Sequence, residues 1–103
     1  MTTAVTTSQE ALELIAAHDR PLLLDFGADW CPPCRAMEPA IADLARDHAD
    51  SLTVRSVDVD RFPDLARRFD VRSAPTLLLF RDGEQRLRLR GAPTARAPRR
   101  ELA

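Results

Sequence analysis

Apolar residues come along this chain in short continuous runs, separated by polar stretches of helical period. Pro21 to Phe26 is an apolar run broken by one acid, Asp25, and Thr76 to Phe80 is another. Runs of this length suit strands covered on both faces. Leu52 to Val59 alternates in part and is read as a strand too. Leu12, Ile15 and Ala16 repeat at helical spacing behind Thr7-Ser8-Gln9-Glu10, which matches a capping box. Met37, Ile41, Leu44 and Ala45 form one stripe of a helix over Arg35 to His48, with Pro39 expected to kink it. Asp60 to Phe69 reads as a short helix with Pro63 in its first turn. Asp82-Gly83 predicts a tight hairpin turn. Beyond it, Gln85 to Arg90 sets Leu87 and Leu89 on one face and Arg86, Arg88 and Arg90 on the other, as suits an edge strand. Ala4 and Val5 are read as a short first strand.

This order predicts one α/β domain over residues 1–103: a central mixed five-stranded sheet flanked by helices on both faces. Residues 1–20 supply a strand and a helix. Residues 91–103 are read as a weak terminal helix. A 103-residue chain with 45% apolar content is long enough for one real core. No apolar run approaches the roughly 18 residues of a membrane span. Met1 to Glu10 is polar with no apolar signal core, so a cytoplasmic location is expected. The net charge of -1 gives no pull toward nucleic acid or an acidic membrane. Arginine stands in place of every lysine, and arginines gather in residues 81–103, read as a solvated edge strand and terminus or, through a stretch such as Arg96 to Arg100, as a partner contact.

Candidate chemistry changes the picture most at Trp30-Cys31-Pro32-Pro33-Cys34, the site of both cysteines. They fall between a core strand and a helix, which suits a reversible dithiol/disulfide couple. Cys31, just before the helix, is the expected nucleophile, because unpaired backbone N–H groups and the helix dipole favour a thiolate there. Thiols so placed titrate at roughly 3.5–7.5 rather than about 8.5. Cys34, one turn on, is expected to be shielded and to resolve the mixed disulfide. Exchange of this kind needs no metal and no organic cofactor. The other readings of the pair are a structural disulfide, inert buried thiols, or a zinc site, for which only His18 and His48 offer further ligands.

Asp25 is the second informative residue. A carboxylate in an apolar strand is costly without a partner or a task. Burial raises its pKa, and beneath Cys34 it is placed to take that thiol's proton; otherwise it is an acid reaching solvent from a strand end. Trp30 is either a surface platform or core packing. An Ala74-Pro75 bond would by itself be expected trans.

The residues Leu24-Asp25-Phe26, Ala28-Asp29-Trp30-Cys31, Pro33-Cys34, Val57-Asp58-Val59-Asp60, Ala74-Pro75-Thr76, Phe80, Asp82-Gly83 and Gly91-Ala92 match the thioredoxin family in order and spacing. The chain from about Pro21 to Ala92 resembles that family. The resemblance implies the thioredoxin fold and protein-disulfide reduction, with Cys31 attacking, Cys34 resolving and Asp25 as the buried acid/base. It implies a cis bond before Pro75 and an apolar docking face of Trp30, Pro33, Ala74, Pro75, Gly91 and Ala92. It also implies disulfide-containing client proteins, a thioredoxin reductase as electron donor, and a monomer.

The chain departs from the family pattern in four ways. Pro32 stands where glycine is usual; it is expected to be extended, with Pro33 starting the helix, and to shift the reduction potential. Gly27 replaces the usual aromatic, and Ser56 stands where a lysine often neighbours the buried acid. In the tail Pro98 interrupts the expected last helix and Glu101 falls where an apolar contact is usual, so a short or frayed helix over residues 91–103 is expected. These leave two further readings open: a specialised single-partner oxidant or isomerase, and a non-catalytic binding module that keeps the fold.

Overall fold

The computed structural model describes residues 2–17 and 19–90. The elements in chain order are α1 (Ser8–Ala16), β1 (Leu22–Gly27), α2 (Pro32–Asp47), β2 (Thr53–Asp58), α3 (Pro63–Arg68), β3 (Thr76–Arg81) and β4 (Glu84–Arg90). The sheet has the order β2-β1-β3-β4. β1 pairs with β2 in parallel, and β3 runs antiparallel to both β1 and β4.

The apolar runs of β1 and β3 are buried on both faces because side chains alternate across the sheet. Leu22, Leu24, Phe26, Leu78 and Phe80 join Ala11 of α1 and Leu65 of α3 in one core. Leu23, Leu77 and Leu79 join Met37, Ile41 and Leu44 of α2 in the other. The helices therefore cover both faces, as the sequence predicted. Among the described residues no helix is long and apolar enough to cross a membrane.

Four expectations need correction. The mixed sheet has four strands among the described residues, not five. Ala4 makes only an isolated parallel bridge to Ser56, with Val5 N–H donating to Ser56 O (2.8 Å) and Ser56 N–H to Thr3 O (2.9 Å). The chain turns into α1 at Ser8 before the pairing can lengthen. The capping box is also displaced. Thr7 Oγ1 accepts from Glu10 N–H (3.0 Å), but the Glu10 carboxylate returns to Thr6 N–H (3.2 Å) and Thr6 Oγ1 (3.1 Å) rather than to Thr7. Loss of the threonine oxygen in Thr7→Ala is expected to lower stability by about 1 kcal/mol, read from a urea unfolding midpoint.

Third, α2 begins at Pro32, so Pro32 is helical and it is Cys31 that is extended (φ -96°, ψ 103°). Proline fits the first turn of a helix, whose N–H groups lack partners anyway. The helix then continues through Pro39 to Asp47. Fourth, the arginine face of β4 is not simply solvated. Arg88 is half-buried. Its guanidinium donates to Phe69 O and, at 3.0 Å, to Asp70 O, satisfying carbonyls left open just past the C-terminal end of α3. The hairpin turn is as predicted: Asp82 and Gly83 both have positive φ (55° and 78°), the signature of a two-residue primed turn. The expected last helix, Pro98 and Arg96 to Arg100 lie outside the described residues, as does His18.

A redox disulfide beside an open cleft

β1 ends at Gly27, and the chain crosses through Asp29 and Trp30 to reach the start of α2. Cys31 and Cys34 are joined there in a disulfide, with Cα atoms 5.3 Å apart. Cys31 is the N-cap of α2, and its Sγ accepts the Cys34 N–H at 3.3 Å. Pro32 and Pro33 supply no N–H, and Arg35 N–H is bonded to Cys31 O (3.2 Å). The Cys34 amide is thus the backbone donor that the first turn gives to Cys31 Sγ.

On its other side Cys31 Sγ lies 3.6 Å from Ala74 O. The Ala74-Pro75 peptide is cis, as the family resemblance implied and the bare residue pair did not. Pro75 is fully buried and Ala74 half-buried. Trp30 is 66% exposed, which excludes its reading as core packing. Its indole N–H donates to Asp60 Oδ2 at 2.6 Å. Asp58 Oδ1 in turn accepts Asp60 N–H (2.9 Å), holding that acid in place. Pro33 is exposed in the first turn of α2. Gly91 and Ala92, the remaining members of the expected docking face, lie outside the described residues.

Exposure of the two cysteine residues runs against the sequence expectation. Cys31 is only 2% exposed, whereas Cys34, expected to be shielded, is half-buried. The cause is Gly27. A Cβ built there would lie 3.3 Å from Cys34 Sγ and 3.4 Å from its Cβ. The missing side chain leaves Cys34 on the wall of a cleft of about 610 Å³ that also touches Asp25, Glu38, Ser56 and Asp58.

Asp25 sits mid-strand in β1, between Ser56 of β2 and Leu77 of β3. It is 7% exposed, and its Oδ1 has no hydrogen-bond partner among the described residues. Burial, with a smaller contribution from the nearby Glu38 carboxylate, raises its pKa from 3.8 to about 6. Between those values the folded protein holds a proton that the unfolded chain has lost, so stability falls as pH rises from about 4 to about 6. At about 1.4 kcal/mol per pH unit, the loss is roughly 3 kcal/mol. It is expected to disappear in Asp25→Asn, with urea denaturation of both oxidised proteins at pH 4 and pH 7.5 as the measurement.

Two of these features escaped the sequence. Glu38 lies four residues after Cys34, which puts the two on one helix face, so that signal was present and unused. Nothing in the spacing of Trp30 and Asp60 announces their hydrogen bond.

Comparison with known proteins agrees with the geometry. The family profile described as Thioredoxin matches residues 2–101. A thioredoxin of Mycobacterium tuberculosis is 41% identical over 102 residues, spanning 99% of this chain and 87% of the relative. A bifunctional thioredoxin reductase/thioredoxin of Mycobacterium leprae is 38% identical over 89 residues, 86% of this chain and 19% of that protein. Among solved structures, mitochondrial thioredoxin 3 from Saccharomyces cerevisiae in its oxidized form superposes with a TM-score of 0.87 at 33% identity, covering 98% of this chain and 92% of that one. With the profile matched over residues 2–101 and 41% identity along nearly the whole chain, the Cys31–Cys34 disulfide serves protein-disulfide reduction, and the chain belongs to the thioredoxin family of thiol-disulfide oxidoreductases.

Proposed function

We propose that Cys31 is the attacking sulfur, Cys34 the resolving sulfur and Asp25 the acid/base of a protein-disulfide reductase working in the cytoplasm. The observation that carries this reading is the position of Cys31 Sγ, between the Cys34 amide at 3.3 Å and Ala74 O at 3.6 Å. The helix N-terminus stabilises a thiolate at that sulfur. The half-buried Ala74 beside that sulfur supports an extended client segment running along it.

In the forward cycle the Cys31 thiolate attacks one sulfur of a client disulfide, and the other client sulfur leaves as a thiolate. Asp25 takes the proton from Cys34. The Cys34 thiolate then attacks Cys31 Sγ, expels the client's second sulfur and leaves the Cys31–Cys34 disulfide. Two electrons have passed to the client, and its two thiolates take up two protons. A thioredoxin reductase returns the electrons. The natural fusion of such a reductase to a thioredoxin unit in the Mycobacterium leprae relative supports that donor.

The test is insulin reduction by dithiothreitol, followed as turbidity. The protein is expected to accelerate precipitation and Cys31→Ser to give the uncatalysed rate; an equal rate with Cys31→Ser removes the reading. A second measurement isolates Asp25. The resolving step is expected to quicken as pH rises through about 6, where the acid ionises. In Asp25→Asn the rise is expected to move toward the ordinary thiol value of about 8.5. Stopped-flow release of a labelled client reads both.

A further inference from the structure

The cleft at Gly27 opens a second approach to the disulfide, lined by none of Trp30, Pro33, Ala74 and Pro75. Cys34 Sγ forms part of its wall, and the nearest position a residue-27 side chain would take is 3.3 Å from that sulfur. A side chain at residue 27 would lie over that sulfur, and glycine leaves it uncovered on this side. The volume of about 610 Å³ is generous for a small molecule. The lining is charged: Asp25, Asp29, Glu38 and Asp58 face a single cation, Arg35, and Ser56 adds no bulk. The buried Asp25 Oδ1 at this wall has no hydrogen-bond partner among the described residues. Thr2 N–H reaches Glu38 Oε1 at 3.4 Å, closing the contact of the N-terminal segment with the cleft's acids.

We propose that this cleft is a port through which small cationic thiols and disulfides, the aminothiols, exchange directly with Cys34. The proposal rests on the oxidoreductase reading but concerns a different sulfur and a different class of partner. An aminothiolate attacks Cys34 Sγ, the Cys31–Cys34 bond breaks, and Cys31 leaves as the thiolate its helix terminus favours. A second aminothiolate attacks the small-molecule sulfur of the mixed disulfide, releasing the aminodisulfide and the Cys34 thiolate. Two electrons pass from two aminothiols to the protein, and the two protons they lose are taken up at Cys31 and Cys34. The acidic lining attracts the ammonium group and repels carboxylated thiols.

The experiment uses the full chain carrying Cys31→Ser, so that Cys34 is the only thiol. Its rate of reaction is measured with cystamine and with dithiodiglycolate, by mass spectrometry of the adduct. Cystamine is expected to react at least tenfold faster, with the preference shrinking at high salt. Adding Gly27→Trp, or independently Ser56→Leu, is expected to slow cystamine at least tenfold. Glu38→Arg is expected to narrow or invert the charge preference. Equal rates for the two disulfides, or a cystamine rate unchanged by both cleft-filling variants, would overturn the port. Insulin reduction is assayed separately in Gly27→Trp with both cysteines present. Its persistence beside a lost cystamine reaction supports the port. Its absence in the parent protein removes the oxidoreductase reading and leaves the adduct measurement standing.

Discussion

Replacing Cys34 with serine is expected to turn a catalyst into a trap. Cys31 keeps its place at the N-cap of α2 and its bond from the residue-34 amide, so the first attack on a client disulfide proceeds. The second attack has no sulfur to make it. Turnover in the insulin assay is expected to fall by about a thousandfold or more, to the background set by free dithiothreitol. At the same time one equivalent of client becomes covalently attached and is released by reductant. Non-reducing electrophoresis and intact mass read the adduct at Cys31. The companion variant Cys31→Ser is expected to lose turnover without holding a protein client, because the cleft beside Cys34 is sized for small molecules. Equal trapping of insulin by both variants would contradict the assignment of roles. The contrast matters because Cys34 is the more exposed of the two in the oxidised protein. Exposure alone would rank the cysteines the other way; the proposed order rests on electrostatics at the helix start.

The second large effect is expected at Phe26. Its ring is fully buried in the core formed by β1, β3, α1 and α3. It packs edge-on against Phe69 with centroids 6.4 Å apart, and Phe69 packs in the same manner against Phe80 at 5.4 Å. Phe26→Ala removes the first member of that aromatic row and leaves a cavity. Truncations of this kind cost about 3–5 kcal/mol, out of a typical total of roughly 5–15 kcal/mol. The expected result is a large drop in urea midpoint with an unchanged slope. Because Phe26 neighbours Asp25 on the opposite face of β1, insulin reduction at low temperature is expected to survive wherever the variant remains folded. A loss of less than about 1 kcal/mol would mean that the row does not hold the layers together.

Sheet and helices were largely legible because the apolar runs of β1 and β3 and the stripe of α2 are strong, local signals. Asp82-Gly83 specified its turn through the one property that matters there, tolerance of positive φ. The misses share a cause. Ala4-Val5 has strand-like residues, but how far it pairs depends on where α1 pulls the chain away. Pro32 looked extended because a following proline disfavours helix, yet the tight loop closing Cys31 onto Cys34 overrides that preference and passes the extended conformation to Cys31. The arginine alternation of β4 was visible, whereas the carbonyls that Arg88 meets are brought there by α3, some twenty residues away.

At the site, the two cysteines and Asp25 could be picked out by spacing and by a charge in the wrong place. The cleft could not, since it is made by what Gly27 lacks, and an absence has meaning only once Cys34 is seen to lie against it.

The paired prolines at the start of α2 carry one more implication. Each ring fixes a backbone torsion, and neither residue has an amide proton to gain or lose. Opening and closing the sulfur bond is therefore expected to leave the main chain nearly where it was. A partner approaching this surface would distinguish the electron-loaded form from the empty one by the negative charge at a single atom, not by contour.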